Sequence, residues 1–405
     1  MKEEKITITN AQELRQEKCN VPTLRFAEYT DEWHKFALSD FVTRITRRNK
    51  NNESSLPLTI SAQYGLVDQI TFFNKTVASV DLSGYYLLYN GDFAYNKSYS
   101  NDYAWGAVKR LDKYEKGCLS SLYFVFRPTD KVDSDYLTHY FETNKWHKGI
   151  SDIAGEGARN HGLLNMSVDD YFATKHYLPT LPEQRKIADF LNLIVKRIEI
   201  QNKIIEDLKV LKKELCNKVF SSSEYVRLGD YITEITTRNK ANSCDNVLSV
   251  SNKMGFIKQS EQFEDRTVAS EDKRNYKVVT EGCFAYNPAR INVGSIALLE
   301  TQKVGIISPM YVCFKTSNKL IADYLKFYYQ SAIFFKELHK KLEGSVRQCL
   351  TYENMCEIQI PYVNVEQQRK IATALKEFAT RIVLEEQYLR ALQRQKAYFL
   401  NAMFI

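Results

Sequence analysis

The chain carries one sequence plan twice. Residues from Phe36 to Phe220 are matched, at a nearly constant offset, by residues from Val226 to Phe404. Arg48-Asn49-Lys50 recurs 190 residues on as Arg238-Asn239-Lys240, and Leu58, Ser61, Gly65 and Gln69 recur at that offset as Leu248, Ser251, Gly255 and Gln259. Gly91-Asp92-Phe93-Ala94-Tyr95-Asn96 becomes Gly282-Cys283-Phe284-Ala285-Tyr286-Asn287 at 191, and Tyr123-Phe124-Val125-Phe126 becomes Tyr311-Val312-Cys313-Phe314 at 188. Glu156-Gly157 becomes Glu343-Gly344 at 187, a drift that a few loop deletions produce. A period this long is far beyond the roughly 20 to 50 residues of a solenoid, so the chain is a duplicated domain.

Each copy ends alike. Proline marks a boundary at Pro179 and Pro182 in the first and at Pro361 in the second, where a helix begins. The helices open with the same words, Glu183-Gln184-Arg185-Lys186-Ile187-Ala188 and Gln367-Gln368-Arg369-Lys370-Ile371-Ala372. Apolar residues then step by three and four, the spacing of a coiled-coil seam: Leu191, Ile194, Ile198, Ile205 and Leu208, matched by Leu375, Phe378, Ile382, Leu389 and Leu392. Polar breaks coincide too, Gln201 with Glu385 and Lys212 with Lys396. A helix of about 38 residues spans roughly 57 Å and cannot bury its stripe alone, so the two are expected to pair, antiparallel, as an intrachain coiled coil.

Before each helix, short apolar runs broken by Gly, Asn, Asp and Ser read as strands and loops, with helices expected over Asp133 to Trp146 and Lys319 to Leu342. The fold class is therefore mixed α/β: two globular units separated by two long helices. Its divisions are a polar extension over 1–20, with Ala11 to Lys18 a short helix, a first globular domain over 21–180, a helix over 181–222, a second domain over 223–360, and a last helix over 361–405. The 26 tyrosines and 22 phenylalanines belong mainly to the cores.

A net charge of +7 over 405 residues permits an anionic partner without demanding one. The eight cysteines form no C-x-x-C, which argues for reduced thiols and against zinc or a disulfide framework. The six histidines show no metal spacing. No apolar run is long enough for a membrane span or a signal peptide, so the expected location is cytoplasmic.

The duplicated unit, the Phe-Ala-Tyr-Asn element and above all the two helix openings resemble the specificity subunit of type I restriction-modification enzymes. The run Val21-Pro22-Thr23-Leu24-Arg25-Phe26 and Trp33 also resemble its start. The resemblance extends from residue 21 onward. It implies two target recognition domains, each reading half of a split, asymmetric sequence in double-stranded DNA. It implies helices that dock two modification (methyltransferase) subunits, which carry S-adenosylmethionine, with restriction subunits joining in the full complex.

No catalytic residue and no cofactor of its own is expected in this chain. The nearest approach to an adenine methyltransferase loop is Asn287-Pro288-Ala289-Arg290, and its counterpart Asn96-Lys97-Ser98-Tyr99 keeps only the asparagine. Gly155-Glu156-Gly157 lacks a following Lys-Ser/Thr and makes no phosphate loop. Phosphate contacts are expected from shared cations, Arg48 and Lys50 in the first unit and Arg238 and Lys240 in the second. Base reading is expected from the glycine loops, through Arg159 and Asn160 and through Arg347 and Gln348, with Lys97 and Arg290 beside the Tyr-Asn element. Two other readings remain: a divergent fused methyltransferase or nuclease, and a coiled-coil adaptor without a DNA role.

Overall fold

The computed structural model describes residues 20–405 apart from 76, 77, 80, 100–102, 155–162, 222, 223, 253, 263–271, 301 and 345–347, with no side-chain placement at 261 and 262. The extension over 1–19, including Ala11 to Lys18, lies outside the described residues, as do Arg159, Asn160 and Arg347. The chain divides into two compact units, Met1–Ile200 with Leu389–Ile405, and Gln201–Tyr388.

In the first unit, strands Val42–Arg44, Phe124–Pro128, Phe93–Asn96 and Ala107–Arg110 lie side by side in that order as an antiparallel sheet. In the second, Ile232–Glu234, Val312–Thr316, Cys283–Tyr286 and Ile296–Leu298 repeat the order. The shared Phe-Ala-Tyr-Asn element is the central strand of each sheet, and each of its residues has a packing reason. Phe93 stacks on Phe126 with ring centroids 5.5 Å apart, and Phe284 on Phe314 at 5.1 Å. Ala94 and Ala285 are fully buried, each in an apolar cluster. The phenols of Tyr95 and Tyr286 donate to the carbonyls of Trp105 at 2.9 Å and Thr351 at 3.1 Å, and burial pushes both phenols far above their ordinary range.

The helix expected over Asp133 to Trp146 stops short, with a second helix only beyond it, and the one expected over Lys319 to Leu342 is two helices. Ser134–Tyr140 ends before His147–Ile153 begins, and Ala322–Tyr328 before Ala332–His339. The break has a side-chain cause common to both copies. The Thr143 hydroxyl donates to the Tyr140 carbonyl at 2.7 Å, and the Ser331 hydroxyl donates to Tyr328 at 2.7 Å while accepting the Phe334 amide as the next helix's cap.

The long helices run from Leu181–Phe220 and Val365–Ala402. Each opening word is a lock. In the first unit the Gln184 amide donates to the Pro179 carbonyl at 2.9 Å, and its oxygen accepts the Asp133 amide at 2.8 Å. In the second, Gln368 does the same with Val363 at 2.8 Å, Lys319 at 3.1 Å and the Ile321 amide at 2.8 Å. Glu183, 1% exposed, is held by both nitrogens of the Arg25 fork at 2.7 and 2.8 Å, which gives the Leu-Arg-Phe start its structural role.

Each unit is closed by both helices. In the first, Ile187, Ala188, Leu191 and Ile194 share a core with Met403 and Phe404, and Phe190 meets Phe399 at 4.9 Å. In the second, Cys216 and Phe220 share a core with Ala372 and Leu375 while Gln201 lies against Glu385, so the helices run antiparallel. The seam buries Leu191, Ile194, Ile205, Leu375, Ile382 and Leu392, and half-buries Ile198, Leu208, Phe378 and Leu389. The matched lysines repeat their role as well, Lys396 reaching Glu142 at 2.7 Å and Lys212 reaching Gln330, the equivalent of Glu142, at 2.9 Å.

Candidate nucleic-acid interface

The Arg-Asn-Lys turns are built around their asparagines. Asn49 is buried, donating to the Ser54 carbonyl at 2.9 Å and accepting the Ser54 amide at 3.1 Å. Asn239 repeats this with the Cys244 carbonyl at 2.9 Å and the Ser243 amide at 3.1 Å. Three residues on, Asn52 and Asn242 take left-handed φ angles of 51° and 50°, which asparagine tolerates. The arginines flank these turns differently. Arg48 donates to the Gly84 carbonyl at 2.7 Å and lies 4.1 Å over the Tyr86 ring, whereas exposed Arg238 reaches the Asn275 carbonyl at 3.3 Å. Lys50 and Lys240 extend into solvent beside them.

The second group of candidates gathers at the end of the central strand. The Asn96 side-chain oxygen accepts the Ser98 amide at 3.0 Å and that of Asn287 accepts the Ala289 amide at 3.1 Å, so both asparagines shape turns. Lys97, past the first turn, lies 5.3 Å over the Phe124 ring, and its carbonyl accepts the Leu164 amide at 2.9 Å, just beyond the glycine loop at 155–162. Past the second turn, Arg290 is exposed, and the Pro288 carbonyl accepts the Leu350 amide at 3.1 Å. Glu343 and Cys349 exchange backbone bonds of 3.0 and 2.8 Å across the base of the loop that carries Gln348, whose Gly344 has φ 101°. In each unit, therefore, the Tyr-Asn turn and the base of the glycine loop are joined, while the Arg-Asn-Lys turn belongs to a separate strand group.

The two copies are unlike where the first buries charge. Asp92, fully buried, accepts from Arg127 at 2.6 Å, from the Tyr89 amide at 2.8 Å and from Arg47. Thr237, Cys283 and Lys315 stand at the matching positions. Among the described residues, no group of three or more His, Cys, Asp or Glu is placed to hold a metal ion, and no helix is long and apolar enough to cross a membrane.

The model of the type I restriction modification DNA specificity domain matches residues 217–394. That stretch of the chain is similar to the type I restriction-modification DNA specificity domain. Residues 36 to 220 repeat the sequence plan of the matched stretch. No curated protein sequence matches the chain. Among solved structures, the S subunit of the type I restriction-modification system from M. genitalium is similar at 14% identity, covering 95% of this chain and 99% of that one with a TM-score of 0.54. A chain from a study of the assembly and conformational transition of the type I R-M system is similar at 17% identity, covering 91% and 96%, with a TM-score of 0.53. At these identities the likeness is one of fold. It extends to nearly the whole of both of those chains.

Sequence reading passed over one group of residues, the exposed apolar side chains at matched turn tips, Tyr64 with Met254 and Leu122 with Met310. The signal was available in the repeat itself, since each pair is separated by the local offset, 190 and 188 residues, and joins positions of similar apolar character.

Proposed function

We propose that this chain is the sequence-reading subunit of a type I restriction-modification methyltransferase, with domain divisions at 21–180, 181–222, 223–360 and 361–405 and a polar extension over 1–20. Each unit reads one half of a bipartite, asymmetric duplex target. The observation that carries this reading is the pairing of sameness with difference. The copies share their strand order, glutamine locks and helix seam, and differ in the side chains around the Tyr-Asn turn and the glycine loop. A shared frame with unlike loops suits two readers of unlike half-sites on one scaffold. The helix of 40 residues, about 60 Å long, is the element that would set a constant unread spacer, as dimer geometry does in repressors.

In this reading Lys97, Arg159 and Asn160 address the first half-site, and Arg290, Arg347 and Gln348 the second, with Arg48, Lys50, Arg238 and Lys240 on phosphates. The adenine-methylating chemistry and its S-adenosylmethionine reside on two modification subunits, with restriction subunits completing the nuclease. The seam residues from Leu191 to Leu392 hold the helices to each other, which leaves a second apolar stripe for the modification subunits. Within the second unit, Ile204 and Leu211 on the first helix and Leu384 on the second are such apolar side chains, each between 38% and 55% exposed. Reconstitution with the modification subunits and labelled S-adenosylmethionine tests this. Methyl transfer to a split target is expected only when both proteins are present. Transfer by this chain alone contradicts the reading.

A further inference from the structure

Each unit offers a large apolar side chain at the tips of the same two turns. In the first unit, the hairpin joining Leu58–Ser61 to Gly65–Asp68 carries Tyr64, 61% exposed; in the second, the hairpin joining Val247–Ser251 to Gly255–Lys258 carries Met254, 66% exposed. The hairpins are built alike. The Ser61 hydroxyl accepts the Tyr64 amide at 3.1 Å, the Ser251 hydroxyl accepts the Met254 amide at 3.4 Å, and the next residue is a glycine with φ 79° or 70°. The second turn presents Leu122, 63% exposed, and Met310, 61% exposed. It is closed in both copies by the following tyrosine, Tyr123 to the Ser120 carbonyl at 3.3 Å and Tyr311 to the Ser308 carbonyl at 3.1 Å. The strands leading into the two turns are parallel neighbours, Pro57 beside Cys118 and Leu248 beside Ile307. Within each unit, the strands entering the two tips therefore run side by side in the same direction.

Tight turns favour Gly, Asn, Asp and Ser, and of these four side chains Tyr64 meets another ring, the exposed Phe72, edge-on at 6.4 Å. Single exposed apolar residues are ordinary, but two positions kept exposed and apolar in both copies form a pattern. What is retained is apolar surface rather than hydrogen bonding, since Tyr64 is matched by methionine and Leu122 by methionine. A ligand common to both copies would account for the pattern. Phosphate would call for cations, yet Ala62-Gln63-Tyr64, Ser121-Leu122 and Pro309-Met310 carry none and the fourth turn only Lys253. A protein present in two copies, one per unit, is such a ligand, and tyrosine, leucine and methionine on rigid turns are suitable anchors for an uncharged recess.

We propose that Tyr64 with Leu122, and Met254 with Met310, each anchor one methyltransferase subunit through an uncharged apolar recess on that subunit. This rests on the reading of the chain as a specificity subunit. The test reconstitutes the full chain with its methyltransferase and measures stoichiometry and affinity by native mass spectrometry and sedimentation. Two variants are compared, Tyr64→Ser with Leu122→Ser and Met254→Ser with Met310→Ser, their folding checked by thermal melting. Each variant is expected to keep one partner at full affinity and to hold the second about tenfold more weakly or worse. Two partners at undiminished affinity in both variants overturn the proposal. So does full stoichiometry with weakened binding of the complex to its duplex, which would assign the tips to DNA. A wild-type chain that takes up no methyltransferase contradicts the functional reading itself, a result separate from either variant outcome.

Discussion

Gln201 donates its side-chain amide to the carboxylate of Glu385 at 2.6 Å, and the two residues occupy the same position in the two copies. They are 4% and 9% exposed within an apolar seam. Antiparallel helices bring a residue opposite its own equivalent at one level only, and here that level is polar. Sliding the seam by a turn would set both groups against aliphatic side chains, so the pair fixes register.

Gln201→Leu should therefore destabilise the second unit by about 1–3 kcal/mol, because Glu385 keeps Arg381 at 2.5 Å but loses its buried donor. Adding Glu385→Leu should restore much of that loss. Urea unfolding of both variants checks the expectation, and an additive loss in the double variant would contradict it.

The glutamine locks give a second test. Gln184→Glu and Gln368→Glu each replace a buried donor by a carboxylate facing carbonyl oxygens, and each should cost about 1–3 kcal/mol. Hydrogen exchange is the direct readout: the Asp133 amide in the first variant and the Ile321 amide in the second should lose protection.

Stability of the first unit should depend on pH through His176. Its ring lies 2.7 Å from the Tyr140 phenol and 2.8 Å from the Thr174 hydroxyl, and burial lowers its pKa from 6.5 to about 4. The unfolded chain takes up a proton near pH 6.5, and the folded chain does so only near 4. Stability is thus present above 6.5, declines as pH falls between these values, and is diminished by about 3 kcal/mol at the lower end. In His176→Gln that part of the pH dependence should disappear from thermal melts taken between pH 4 and 7.

The duplication, the helix openings and the seam were legible because they are periodic or repeated in sequence. The reason for the glutamines was not, since Gln184 and Gln368 bond to amides 51 and 47 residues away. The Arg-Asn-Lys motif drew notice for its cations, whereas the buried Asn49 and Asn239 are what the fold shares. The broken helices escaped notice because Thr143 and Ser331 act through capping geometry, which apolar spacing does not express. Of the candidate interface, the adjacency of Lys97 to Leu164 and of Pro288 to Leu350 came from the fold alone.

Arg290 provides a fourth test. Its side chain is exposed, two residues past Pro288, which is bonded to Leu350 at the foot of the Gln348 segment, so Arg290→Ala in the assembled complex should weaken cognate binding by about 1–3 kcal/mol. The preference lost should be confined to one half-site. Competition binding with duplexes altered in either half distinguishes this from a uniform phosphate effect.

The central claim, two unlike readers on one scaffold, is tested most directly by mapping methylated adenines in the host genome with and without this chain. The account predicts a motif of two different specified blocks separated by an unread spacer of constant length, absent without the chain. A single continuous motif, or a methylation pattern that does not depend on the chain, would contradict it.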